Sequence, residues 1–179
     1  GALTLADGAQ SIGSVATDVH SLGIDAMAVA TQKCLLSVYG FGFLYVRREV
    51  AETLVPIHVA RYGIYLDGHE TAYTAGPLEY AAGARRFDIG NYNYLGMSAT
   101  RASLELLSGL GVENIQAHTH GLAARLATGL PVVGGEPGPH LAHIVSVGRI
   151  GGGRHYTADD PEVNALHQHL VSVGIVFSL

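Results

Sequence analysis

Apolar positions fall into short blocks in the first half of the chain and into helical spacings in the second. Ala2 to Ala6, Ile24 to Val29 and Phe43 to Val46 each read as a strand, the second interrupted by one acid, Asp25. Between the first two, Gln10 to Val15 reads as an irregular return and Asp18 to Gly23 as a helical turn with an acidic start and a glycine stop. So short a crossover leaves parallel pairing of these strands as an expectation that length alone does not force. Arg47 to Leu54 reads as a short amphipathic helix closed before Pro56. From His58 to Gly83 the pattern loosens into a segment rich in glycine and tyrosine, a length of loop that compact domains keep for function.

Beyond that segment the period changes. Gly96 to Leu110 carries Met97, Leu104, Leu107 and Leu110, with a break at Gly109-Leu110-Gly111. Val112 to Leu130 carries Ile115, Leu122, Leu126 and Leu130 at helical spacing and stops at Pro131. Leu141 to Val147 alternates like a strand, and Gly148 to Gly153 reads as a turn. Asp159 to Val173 reads as a helix opened by Asp160-Pro161-Glu162, and Gly174 onward as a strand. The class is therefore α/β, with residues 1–108 expected to belong to a large domain and 109–179 to a small α/β one. No internal repeat is visible.

Composition narrows the function. With 179 residues, 48% of them apolar, the chain can bury a sizeable core and is not of disordered type. Net charge is −5, and the basic residues cluster no further than Arg47-Arg48 and Arg85-Arg86, which argues against nucleic acid or an anionic membrane as partner. No apolar run reaches transmembrane length, and the N-terminus lacks a signal-peptide pattern. One cysteine, Cys34, rules out an internal disulfide framework and suits a reducing cytoplasm. Both ends fall inside strand-like runs, so the chain is expected to be part of a longer protein.

The chemistry centres on Lys33. It follows the Ile24 strand and precedes Gly40-Phe41-Gly42, where parallel α/β sheets place ligands, outside the carboxyl ends of strands. Ile24-Asp25-Ala26-Met27, Ala30-Thr31-Gln32-Lys33 and then Gly40-x-Gly42-x-Leu44 together resemble the pyridoxal-phosphate attachment signature of the class V aminotransferases. That family includes cysteine desulfurases and isopenicillin N epimerase-like enzymes. Upstream, Leu3 to Gln10 resembles the family's strand ending in Asp-x-x-Gln; downstream, Arg86-Phe87-Asp88-Ile89-Gly90-Asn91 resembles its Arg-Phe-Glu-x-Gly-Thr segment.

The resemblance implies the C-terminal part of the large domain of an aspartate aminotransferase-like fold, then a small C-terminal domain. It also implies an amino-acid substrate, pyridoxal 5'-phosphate as cofactor and a homodimer whose sites are shared between subunits. It implies Lys33 as the Schiff-base lysine and general base, which must be deprotonated to react with an aldehyde. Asp7 is implied as the carboxylate partner that keeps the cofactor ring nitrogen protonated, and Gln10 as donor to its ring oxygen. Thr31 and Gln32 are expected to supply phosphate contacts; many relatives have histidine at the position of Gln32 and serine at that of Ala30. Asn91 stands where relatives carry a threonine reaching the neighbouring subunit's phosphate, and either replaces that donor or makes a turn.

Three features read as unrelated to catalysis. The pairs His118-x-His120 and His167-x-His169 point to different helix faces, so neither is a metal site. The run from Gly148 to Arg154 lacks the strand and helix context of a phosphate loop and reads as a hairpin turn. Cys34 reads as a small hydrophobe, not as a desulfurase nucleophile, which relatives carry toward the C-terminus. The reading is therefore a class V aminotransferase-like enzyme; a cysteine desulfurase or epimerase is the alternative within the family, and a non-catalytic remnant of the fold the alternative outside it.

Overall fold

The computed structural model describes residues 1–66, 76–130, 138–147 and 161–176. It forms two compact units, Gly1–Ile115 and Gln116–Leu179. In the first unit, β1 (Leu5–Asp7), β2 (Ala26–Ala30) and β3 (Gly42–Val46) make a sheet in the order β1-β2-β3. The pairing of β1 with β2 is parallel, with Leu5 opposite Ala26 and Asp7 opposite Ala28, so the short turn-rich crossover does suffice. The pairing of β2 with β3 is antiparallel, Ala26 opposite Val46 through Ala30 opposite Gly42.

Strand alternation sets the core. Met27 and Val29, two apart, face inward and join Leu35 and Leu107, with Ile12, Val19, Tyr45 and Ile115 packed around them. A second cluster, Val46, Val50 and Ala51, seats helix α1 (Arg48–Thr53) against Ala84 and Phe87 of a 3-10 turn spanning Gly83–Phe87. The acid that interrupts the β2 run is a buried tie. Asp25 accepts from Thr4 N at 2.8 Å and from the Arg47 guanidinium, joining the entrance of β1, the entrance of β2 and the exit of β3. Both outer strands expose apolar side chains, Leu5 at 72% and Leu44 at 45%, on the sheet face that α1 covers only at its Ala26 and Val46 end. On the crossover, Asp18 accepts from the backbone N–H groups of His20 and Ser21, which hold its carboxyl below the usual carboxylate range.

The loose segment is closed by a small hairpin, β4 (Ile64–Tyr65) against β5 (Glu79–Tyr80). Residues 67–75 inside it lie outside the described residues. Helix α2 (Tyr94–Leu110) starts two residues earlier than its apolar pattern suggests, because Asn93 caps it by accepting from Gly96 N at 2.9 Å. It runs through Gly109 and is interrupted only at Gly111, before α3 (Val112–Thr128).

In the second unit, α4 (Pro161–Ser172) matches the expected helix from its proline onward. The alternation in Leu141 to Val147 builds no strand; only Val147 makes an isolated bridge. Gly174 to Val176 is likewise not in a strand; residues 177–179 of that expected strand and the glycine-rich turn at 148–153 lie outside the described residues. Alternation marks a strand only where a neighbour offers a free edge, and among the described residues here none does. No helix among the described residues is long and apolar enough to cross a membrane.

Candidate active site

Because β1 and β2 are parallel, their carboxyl ends open on the same edge of the sheet. Asp7 ends β1 there, and the loop carrying Lys33 leaves β2 there, three residues past Ala30. Asp7 shares a rung with Ala28, on the face opposite the buried Met27 and Val29, and is exposed. Its Oδ1 accepts from Ala9 N at 2.8 Å, and Gly8 N donates to Ala28 O at 2.8 Å, so the turn after β1 is pinned to β2. Gln10 follows with an exposed side chain, and Lys33 is exposed as well.

The loop from Thr31 to Phe41 is tied down along its length. Thr31 is completely buried; its hydroxyl donates to Phe41 O at 2.9 Å, and its own carbonyl accepts from Ser37 N at 2.9 Å. Lys33 O accepts from Leu36 N at 2.8 Å, closing a turn in which Leu36 takes a φ of 54°. A non-glycine residue there costs about 1 kcal/mol, so surrounding contacts must impose it. On one flank Cys34 Sγ donates to Gln10 O at 3.2 Å, so this half-buried thiol does more than fill space. Gly13, at φ 102°, lies so close that a Cβ would stand 2.4 Å from Cys34 O. On the other flank lies α2, and there Asn93, Thr100 and Ser103 reach the loop.

Asn91 belongs to a different constellation. Its Oδ1 accepts from Tyr62 Oη at 3.2 Å and from Arg61 at 3.4 Å. The Tyr62 and Tyr92 rings lie 5.2 Å apart, and the Arg61 guanidinium sits 4.5 Å over the Tyr62 ring. Arg85 Nε donates to Tyr62 O at 3.2 Å, and Tyr92 Oη donates to Asp88 Oδ2 at 2.8 Å; that bond pushes the Tyr92 phenol above its usual pKa. Asn91 therefore bonds Arg61 and Tyr62, not the lysine loop.

Sequence reading missed Thr100 and Ser103, since only the apolar residues of α2 were informative there. The signal was the stripe Gly96, Thr100, Ser103 and Leu107, at spacings of four, three and four, which are the buried residues of the helix. Gly96 is part of it because a Cβ there would stand 2.8 Å from Phe41 Cβ. No group of three or more metal-ligating side chains occurs among the described residues.

Comparison with known proteins supplies the lineage. The family model described as Aminotransferase class-V matches residues 1–145. An uncharacterized aminotransferase of Bacillus subtilis (strain 168) is 36% identical over 124 residues, covering 69% of this chain and 31% of that protein. A probable cysteine desulfurase of Methanothermobacter thermautotrophicus is 34% identical over 118 residues, covering 66% of this chain and 28% of that protein. The chain thus spans about a third of the length of these relatives. Among solved structures, the apo cysteine desulfurase of Thermococcus onnurineus NA1 superposes with a TM-score of 0.70 at 22% identity, covering 98% of this chain and 41% of that one. A cystine C-S lyase in complex with cysteine persulfide superposes at 0.67 and 22% identity, covering 94% and 42%. A further structure of that lyase carries glycine covalently linked to its PLP cofactor. The fold is that of the type I pyridoxal-phosphate enzymes, and the chain belongs to the class V aminotransferase family, which uses this cofactor.

Proposed function

We propose that the chain carries the cofactor-attachment half of a pyridoxal-phosphate-dependent enzyme acting on an amino acid, with Lys33 as the attachment lysine. The observation that carries this reading is the parallel pairing of β1 with β2, which opens Asp7 and the lysine loop onto one sheet edge. The donor set suits the group: a primary amine, a carboxylate on the neighbouring strand, and amide donors between them. Bound there, pyridoxal phosphate supplies an electron sink for bonds to the substrate Cα. Asp7 uses Oδ1 for Ala9 N, leaving Oδ2 to accept a proton-bearing ring nitrogen, and Gln10 is exposed three residues on. Thr31 commits its hydroxyl hydrogen to Phe41 O, so Gln32 and loop N–H groups carry the larger share of phosphate binding. Lys33 holds and moves the Cα proton through its Nζ.

Asn91, with Tyr62 and Arg61, forms a cationic and phenolic cluster suited to a phosphate, and we assign it to the site of a second subunit in a homodimer. The lone cysteine suits a reducing cytoplasm. Residues 1–108 serve the large domain and 109–179 the small one. The desulfurase reading is favoured by relatives of that description. The test is an absorbance spectrum with pyridoxal phosphate, then borohydride reduction and mass mapping. A visible band with the label on Lys33 is expected; a label confined to the Gly1 amine overturns the assignment. Sulfide released from cysteine by the unreduced protein loaded with pyridoxal phosphate assigns the desulfurase reaction, and a keto acid without sulfide the amino transfer.

A further inference from the structure

Helix α2 bonds the lysine loop three times, in reverse order. Asn93 Nδ2 donates to Gly40 O at 3.1 Å, the Thr100 and Ser37 hydroxyls share a hydrogen bond of 2.8 Å, and Ser103 Oγ donates to Leu35 O. As the helix advances from 93 to 103 the loop runs back from 40 to 35, so the two segments lie antiparallel and are joined by side chains. A serine or threonine inside a helix commonly returns its hydroxyl to the preceding turn, as Ser98 does to Tyr94 O at 2.9 Å. Thr100 and Ser103 instead reach residues 63 and 68 positions away, and both are buried, at 4% and 8% exposure. A buried hydroxyl is costly unless bonded, and alanine would favour the helix more, so their placement is explained by the loop. The two bonds fall on either side of Leu36, the residue with positive φ, which in turn donates to the carbonyl of Lys33.

We propose that Thr100 and Ser103 are positioning residues for Lys33. They anchor positions 35 and 37, hold the left-handed corner between them, and through the bond from Leu36 N to Lys33 O fix the direction in which the lysine leaves the backbone. The inference rests on Lys33 being the attachment residue, and its test separates the two. Thr100→Val and Ser103→Ala, singly and together in the full chain, are read first by amide hydrogen exchange without pyridoxal phosphate. The second readout is the pH profile of pyridoxal phosphate and borohydride labelling at Lys33. The exchange of the Leu36 and Ser37 amides is expected to speed by about tenfold or more. The label at Lys33 is expected to fall severalfold, with the midpoint of its pH profile displaced, while Thr100→Ser and Ser103→Thr retain wild-type behaviour. Thr100→Val keeps the side-chain volume and reads the hydroxyl alone where the double variant is too unstable. Unchanged exchange overturns the proposal; so does faster exchange with an unchanged labelling profile, because the hydroxyls then only support the fold. Wild-type labelling at Lys33 no faster than at the Gly1 amine overturns the attachment reading itself, and the exchange data distinguish that failure.

Discussion

Residues 31–41 carry a single lysine on a loop whose backbone is held at Thr31, Leu35, Ser37 and Gly40. Arg61, Tyr62, Arg85, Asn91, Tyr92 and Tyr94 form a surface cluster whose side chains interact chiefly among these residues. In the first region most of the polar contacts are at least partly buried and most end on the main chain, so the Lys33 side chain is exposed while the backbone around it is tied down. In the second the functional groups are their own support, screened by water and worth little each. A covalent attachment point demands a fixed backbone origin; a surface that meets a diffusing anion or another subunit tolerates side-chain adjustment.

The largest break in this contrast is Lys33→Ala. The chain has no other lysine, so labelling by pyridoxal phosphate and borohydride should vanish except at the Gly1 amine, as mass mapping would show, while stability is unaffected. Next, Gly13→Ala should reduce stability by about 2 kcal/mol, measured as a shift in the urea midpoint. It forces a side chain into a left-handed conformation and against Cys34 O.

A smaller effect of opposite sign is expected from Leu36→Gly. Leu36 is 65% exposed, so little burial is lost, and relief at φ 54° less the entropy of glycine should leave a gain of about 0.5 kcal/mol. Slower labelling at Lys33 in that variant would sharpen the contrast, because the strained corner would then serve position rather than stability.

The weakest effect is expected in the aromatic cluster. Tyr92→Phe should cost about 0.5 kcal/mol at neutral pH, since its bond to Asp88 is solvent-exposed. The Asp88 carboxylate raises the folded phenol's pKa above its ordinary value of about 10. The increment is therefore complete below that ordinary value and lost as pH rises through the raised one, because the unfolded phenol ionises first. Urea midpoints of the wild type and Tyr92→Phe should differ at pH 8 and converge in strong alkali.

Much of this was determined by the sequence alone. The blocks at Ile24 to Val29 and Phe43 to Val46, the helical spacings after Gly96 and the Lys33 signature are local patterns, and periodicity reports local structure directly. Asp7 could be singled out as a candidate because its spacing to Gln10 is also local. Only the tertiary structure decided what Asp25, Gly13, Thr100 and Ser103 do, because each acts on a partner 21 to 68 residues away, or on a backbone that must first be folded into contact. The strand expected at Leu141 to Val147 is absent among the described residues, where only Val147 makes a bridge, because sequence alternation alone does not supply the pairing a strand needs. The lysine proposed for cofactor attachment is thus written into a short motif, whereas the hydrogen bonds that tie its loop to a helix exist only once helix and loop lie side by side.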